Sequence, residues 1–281
     1  MQKEGTAIQQ VKLKVKNLDN MILFYTQKIG LVLINKVEKT AYLGAQQSTE
    51  PLLVLEEVEA AYSKQGTTGL FHIAFLLPTR KDLGNTLLWL LKNEVPLEGA
   101  SDHGYSEAIY LVDPEQNGIE IYRDKPISEW DIRDNGEIIG ITEEMDADGV
   151  IEAADGQWLG LAPKSKIGHI HLKVSDLEQT EEFYKELLGF DLKSNFGRQA
   201  KFFATGMYHH QIGTNIWSGK DLPATAQNQT GLDYFVIEYL EKAQFDQTLK
   251  NLTVRNKSFE KEGEQVKLTD PNGIKLKLIY K

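Results

Sequence analysis

The chain has 281 residues, 41% hydrophobic and 26% charged, enough apolar material for a sizeable core and the wrong composition for extensive disorder. A formal net charge of −10 opposes a nucleic-acid partner, and zero cysteines exclude disulfides, a thiolate nucleophile and Cys-containing zinc or iron–sulfur sites, which leaves histidine and carboxylate as the strong metal ligands. MQKEGTAIQQ has no basic patch ahead of an apolar core, and no run approaches the roughly 18 apolar residues of a membrane span, so a cytoplasmic protein without a membrane partner is expected.

The first element, IQQVKLKVKNLDNMILFYTQKIG from Ile8 to Gly30, reads as a strand of alternating apolar residues, a polar cap, and an amphipathic helix closed by glycine. A second strand, TGLFHIAFLLP from Thr68, leads into a helix whose Leu87, Leu88, Leu90 and Leu91 read as core. DPEQNGIEIY from Asp113 reads as a turn, its Asx and glycine residues taking positive φ, followed by a strand. Residues 124–164 are rich in acids and turn formers and form an expected connector, with Trp130 and Trp158 packing on a domain surface and given no chemical role.

IGHIHLKVSDLEQTEEFYKELLG, from Ile167 to Gly189, then lies over the first element without a gap. It pairs Ile8/Ile167, Leu13/Leu172, Val15/Val174, Leu18/Leu177, Phe24/Phe183, Tyr25/Tyr184 and Gly30/Gly189. Ser175 and Glu178 form an expected capping box, Gly189 suits the left-handed residue after a helix, and Phe183 and Tyr184 read as core. His209 and His210 precede an expected strand from Ile212 to Trp217. TGLDYFVIEYL from Thr230 repeats the Thr68 strand, and DPNGIKLKLIY from Asp270 repeats the Asp113 segment with two residues removed. The modules fall at residues 6–57, 67–123, 165–218 and 230–281, an α+β chain of four βαβββ repeats.

Several polar side chains on these elements admit two readings. His72 on its strand is a satisfied core histidine or a metal ligand. Glu120 points away from the face of Ile119 and Ile121, to solvent or into a site. His169 and His171, two apart on a strand, share a face, so one can bind while the other supports. His209, His210 and Asn215 are pocket candidates or residues without a chemical role, and His103 and Tyr110 are a turn histidine and a strand tyrosine or members of a site.

The [I/V]xHIHLxVSDL opening, EFY…LLGF in the helix and DPxxNGIEIY at a module's close together resemble the vicinal oxygen chelate superfamily of glyoxalases, bleomycin-resistance proteins and extradiol dioxygenases. SDHGYSEAIYLVDPEQNGIEIY and YHHQIGTNIWSG are most similar to bacterial catechol 2,3-dioxygenase-like two-domain proteins. The resemblance covers nearly the whole chain. It implies modules paired into two curved mixed-sheet cups, within an N-terminal domain 6–123, a connector 124–164 and a C-terminal domain 165–281.

It also implies metal ligands on the first and last strands of modules. Those places hold Gln10, His72, His169 and Tyr234 on first strands, and Glu120 and Lys275 on last strands. Modules three and four would offer His169, Tyr234 and Lys275, and protonated lysine has no lone pair to donate; modules one and two would offer Gln10, His72 and Glu120. Modules two and three would offer His72, Glu120 and His169, a facial triad of two histidines and one carboxylate. The expectation is therefore a metal cup from the central modules and a degenerate cup from modules one and four.

In the same resemblance His103 moves a proton and Tyr110 hydrogen-bonds the bound substrate oxygen, while His171, His209, His210 and Asn215 line the substrate pocket. The implied function is extradiol ring cleavage of a catechol-like aromatic diol by O2 at one divalent metal, Fe(II) ahead of Mn, Zn or Ni. Two alternatives stay open: a glyoxalase-like isomerase, lyase or transferase that uses no O2, and a metal-free binding protein of the resistance type. Homo-oligomerisation is left open.

Overall fold

The structure is a computed structural model that describes residues 5–59, 62 and 66–280. Residues 1–4, 60, 61, 63–65 and 281, which include parts of the two expected domains, lie outside the described residues.

Module one consists of β1 (Thr6–Val15), α1 (Leu18–Phe24) extended by a π-helical turn at Tyr25–Ile29, β2 (Val32–Val37), β3 (Thr40–Gly44) and β4 (Leu53–Glu57). Module two follows with β5 (Gly69–Leu76), α2 (Arg80–Lys92), β6 (Gly99–Asp102), β7 (Ser106–Val112) and β8 (Gly118–Asp124). Module three has β9 (Lys166–Lys173), α3 (Leu177–Glu181) extended by a π-helical turn at Glu182–Leu187, β10 (Asp191–Phe196), β11 (Ala200–Ala204) and β12 (Ile212–Asn215). Module four closes the chain with β13 (Gly231–Tyr239), α4 (Lys242–Val254), β14 (Glu260–Glu262), β15 (Gln265–Thr269) and β16 (Lys275–Tyr280).

In every module the first strand runs parallel to the last, with the helix as the crossover that such a pairing requires. Between modules the first strands pair antiparallel, β5 with β9 and β1 with β13. Modules two and three thus share one curved sheet and modules one and four another, so each cup takes one module from each half of the chain. A bridge between Ile8 and Ile167 joins the two sheets.

Both seams slip register twice in the same places. The extra residues are Gly168 and Phe71 in the central seam and Gln9 and Asp233 in the other. Such bulges sharpen the local twist and redirect side chains. At Gly168 the reason for glycine is direct: a Cβ there would lie 1.8 Å from the Tyr122 hydroxyl.

Two turns lock the halves internally. The Tyr25 hydroxyl donates to Asp113 Oδ2 at 2.9 Å, and the Tyr184 hydroxyl to Asp270 Oδ2 at 3.4 Å, so the helix of each odd module holds the last turn of the even module after it. Glu115 accepts from the backbone N–H groups of Lys16 and Asn17, and Asn272 Oδ1 accepts from the Ser175 backbone N–H and from its hydroxyl.

Several local expectations need correction. Asp176 caps α3, accepting from the Glu178 and Gln179 amides, and Ser175, one residue earlier, is committed to Asn272 rather than to a capping box. In the two turns Asp113 accepts amides two and four residues on, and so does Asp270, which makes the turns equal in length. Positive φ falls on Gly273, the glycine of the Asn-Gly pair, in the second turn, but on Gln116, ahead of the Asn117-Gly118 pair, in the first. The two-residue gap therefore disappears, and the counterpart of Glu120 is Lys277, not Lys275. Gly30 and Gly189 do close their helices with positive φ. Leu87, Leu90, Phe183 and Tyr184 are buried, whereas Leu88 is half-buried and Leu91 is 50% exposed on the outer face of α2.

Residues 124–164 strap module two. Asp131–Ile132 and Ile138–Ile139 form a small ladder, Glu143–Glu144 pairs with β6, and a short helix at Ala147–Glu152 packs on α2. Trp158 stacks on Trp89 with ring centres 4.0 Å apart, and the Trp130 indole donates to the Lys125 carbonyl. Among the described residues no helix is long and apolar enough to cross a membrane.

Candidate metal centre

Ala74 on β5 lies between two partners in the central sheet, Glu120 on β8 and His169 on β9. His72, two residues earlier on the same strand, shares its face. The methyl side chain of Ala74 lets the three longer side chains converge above it. His72 Nε2 lies 3.0 Å from Glu120 Oε2 and 3.2 Å from His169 Nε2, and His169 Nε2 lies 3.2 Å from Glu120 Oε2. This nearly equilateral spacing is what donors each about 2.0–2.2 Å from one shared cation leave between them. Among the described residues it is the one group of three such donors close enough to share an ion.

All three side chains are buried. Burial alone would raise the Glu120 carboxyl, but His169 and then His72, by charge and hydrogen bonding, hold it well below the usual carboxylate range. Burial lowers His169 to about 4, against the opposing pull of Glu120. At neutral pH the set therefore presents a carboxylate and an unprotonated His169 imidazole, the state that binds a metal without first releasing a proton. The donor chemistry, two imidazoles and a carboxylate, fits a divalent transition metal with coordination positions to spare.

The triad opens on a cavity of about 790 Å³. His103 and Tyr110 stand in its wall, with His103 Nε2 2.6 Å from the Tyr110 hydroxyl. His103 Nδ1 donates to the Ile141 carbonyl in the connector at 2.9 Å, which leaves Nε2 as the acceptor of the tyrosine proton. Tyr110 sits directly across the β7–β8 ladder from Glu120. Burial, then the Glu120 charge, pushes its phenol well above the ordinary range, so it stays protonated.

Of the four expected pocket residues, two line the cavity. His171 pairs with His72 across the seam, and its Nε2 is buried with no partner among the described residues. His210 packs on His169 at 4.2 Å between ring centres. His209 instead turns behind the site, stacked on Tyr105 at 4.2 Å with Nε2 2.9 Å from Asp124 Oδ1. Asn215 is fully buried at the end of β12, its Oδ1 accepting the Trp217 amide. Neither of those two lines the cavity.

Phe71, Trp217 and Phe202, together with Gly140, Ile141 and Thr142 from the connector, line it without having been singled out from the sequence. Strand alternation sets Phe71 on the face opposite His72. The bulge that overrides it exists only in the pairing of β5 with β9.

The other cup carries a different set at the same positions. Gln10, Lys12 and Tyr234 replace His169, His171 and His72, and Lys277 replaces Glu120. The Lys277 ammonium lies 3.7 Å from the centre of the Tyr234 ring, and Lys12 pairs with Glu56 at 2.9 Å and Asp233 at 3.4 Å. Cations and their partners occupy that cup, and neither lysine has a lone pair for a metal.

A family model, Glyoxalase/Bleomycin resistance protein/Dioxygenase superfamily, matches residues 7–121 and 166–278. The chain is 38% identical over 272 residues, 95% of each protein, to a catechol-2,3-dioxygenase from Bacillus subtilis strain 168. Its fold is similar to glyoxalase I from Zea mays, with TM-score 0.60 and 15% identity over 99% of this chain and 93% of that one. It is also similar to the cppA protein of Streptococcus pneumoniae TIGR4, with TM-score 0.57 and 14% identity over 100% of both chains.

Proposed function

The chain belongs to the glyoxalase/bleomycin resistance protein/dioxygenase superfamily, and from that premise we propose that it is an extradiol dioxygenase that opens a catechol-like aromatic diol with O2. The observation that carries the reading is the His72–Glu120–His169 triangle with the His103–Tyr110 pair beside it in one cavity. His72, Glu120 and His169 would hold Fe(II), which when bound supplies the one-electron chemistry that lets O2 react with the ring beside the diol.

The protein's own part is geometric and protonic. Glu120 brings the negative charge that a divalent ion requires, and burial of the three side chains strengthens the attraction between that charge and the ion. Tyr110, held as a phenol, is placed to donate a hydrogen bond to an oxygen of the diol, and His103 Nε2, 2.6 Å from its hydroxyl, is placed to take up and return a proton. The Ile141 carbonyl fixes the His103 tautomer that makes this possible. The relative from Bacillus subtilis, a catechol-2,3-dioxygenase by name, supports the same reaction class.

The test is anaerobic loading with Fe(II) followed by catechol and O2, with oxygen uptake and the coloured ring-fission product as readouts. Fe(II)-loaded protein that consumes no O2 with any catechol, bare or ring-substituted, refutes the proposal.

A further inference from the structure

The two cups are built alike and charged oppositely. In the central cup Glu120 faces Tyr110 across the β7–β8 ladder; at the same places in the other cup Lys277 faces Lys267 across β15–β16. Like charges set directly opposite on an antiparallel pair repel, since their Cβ atoms are only about 4.5–5.5 Å apart. Lys275, two residues before Lys277, shares its face. Three lysines therefore crowd one patch of sheet in a chain whose net charge is −10.

The patch opens on a second cavity, of about 700 Å³, lined by these three lysines, Lys257, Tyr234 and Thr269. The carboxylates on its wall do not neutralise them. Asp270 is buried and accepts the amides of Asn272 and Ile274, and Glu182 lies 3.5 Å from Arg255. Glu260, on the exposed edge strand β14, lies opposite Lys267, which also pairs with Glu262, and Lys275 lies 3.4 Å from Asp233. Among the described residues Lys257 and Lys277 form no ion pair. The Lys277 ammonium is held instead over the Tyr234 ring, 3.7 Å from its centre. Tyr234 is the neighbour of Lys275 on the β13–β16 ladder, which adds a hydroxyl to the same wall.

We infer that this cavity is an anion site that takes a phosphate group, free or carried on a small organic molecule, between Lys277, Lys267 and Lys275. A dianion there turns the repulsion across the ladder into attraction, and a concave wall of one sign concentrates such ions. Lysine serves phosphate as a compact point charge, whereas a planar carboxylate is best forked by arginine, and among the described residues no arginine lines the cavity. The site is separate from the metal centre and holds whichever reaction that centre performs.

The experiment is calorimetric titration of the full-length protein with sodium phosphate, phenyl phosphate and sodium succinate, all at one ionic strength set with sodium chloride. Both phosphates should bind once per chain, and succinate more weakly than either. Lys277→Gln and Lys267→Gln should each weaken phosphate binding roughly tenfold, the worth of one charge-assisted hydrogen bond. Lys39→Gln, at an exposed lysine that pairs with Glu59 outside this cavity, and His169→Ala, at the metal centre, should leave it within about threefold. Tighter binding of phenyl phosphate assigns the site to phosphate esters, and tighter binding of phosphate to the free ion. No saturable binding of either phosphate overturns the inference, as does succinate that binds as well, affinity unchanged in both lysine variants, or binding lost in His169→Ala.

Discussion

Replacing His169 by alanine removes the one metal donor supplied by the second half of the chain, so it tests the cross-module centre most directly. His72 and Glu120 remain 3.0 Å apart, but the third corner, 3.2 Å from each, is lost. Losing a partner outside the ligand set commonly weakens metal affinity about 10–100-fold, so removal of a ligand should cost roughly 100-fold or more. With metal at about 1,000 times the wild-type Kd, binding stabilises the wild type by about 4 kcal/mol and a 100-fold weaker variant by about 1.4 kcal/mol. For a protein of this size that deficit of about 2.7 kcal/mol corresponds to roughly 5–10 °C in the metal-induced rise of Tm. The assay compares metal content after anaerobic reconstitution and the Tm gain on adding metal, each variant against its own metal-free form. Gln10→Ala, the counterpart in the other cup, should leave both readings unchanged. If His169→Ala keeps full occupancy and the full Tm gain, the triad is not the metal site.

Tyr110→Phe removes the hydroxyl 2.6 Å from His103 Nε2 and should lower kcat about 10²–10⁴-fold with metal content unchanged; an unaltered kcat on catechol would take Tyr110 out of the chemistry. Burial pushes the Asp270 carboxyl up to about 6, against hydrogen bonds from the Ile274 amide, Asn272 and Tyr184. The folded state thus holds that proton more tightly than the unfolded chain, and its stabilising contribution, full below about pH 4, is lost as pH rises through about 6, a swing of roughly 3 kcal/mol. Asp270→Asn should flatten that component, so urea unfolding of wild type and variant at pH 4.5 and 7 should show a stability difference that changes with pH; a constant difference contradicts the assignment. Gly168→Ala drives a methyl to 1.8 Å from the Tyr122 hydroxyl and should destabilise by about 3 kcal/mol or more, and a loss under about 0.5 kcal/mol in urea would show that the bulge relaxes freely.

The repeat was legible because apolar alternation, the buried tyrosine of each odd helix and the glycine after it are all local features. His72, Glu120 and His169 could be read as candidates from their module positions. Their convergence depends on β5 meeting β9, and no local pattern records that pairing. Phe71 was hidden for the same reason, since its orientation belongs to a bulge made jointly by two strands. Lys277 was missed through a shared dipeptide. Aligning the two Asn-Gly pairs shifts the last strand by two residues, whereas the amides bound by Asp113 and Asp270 set the true correspondence. The cap of α3 went to Asp176 rather than Ser175 because Asn272, far along the chain, claims the serine hydroxyl.

That each cup draws one module from each half has a consequence for how the molecule can change. Two identical half-chains paired about a twofold axis would build two identical cups, and any substitution would enter both. Fusion into one polypeptide cancels that constraint: position 169 can be histidine while position 10 is glutamine, and position 120 glutamate while position 277 is lysine. One cup then carries the candidate metal donors while its twin, cross-braced by Lys12, Glu56 and Asp233, carries cations at the matching places. The strap at 124–164 is what makes this division of labour permanent, because it ties two unequal halves into one inherited unit.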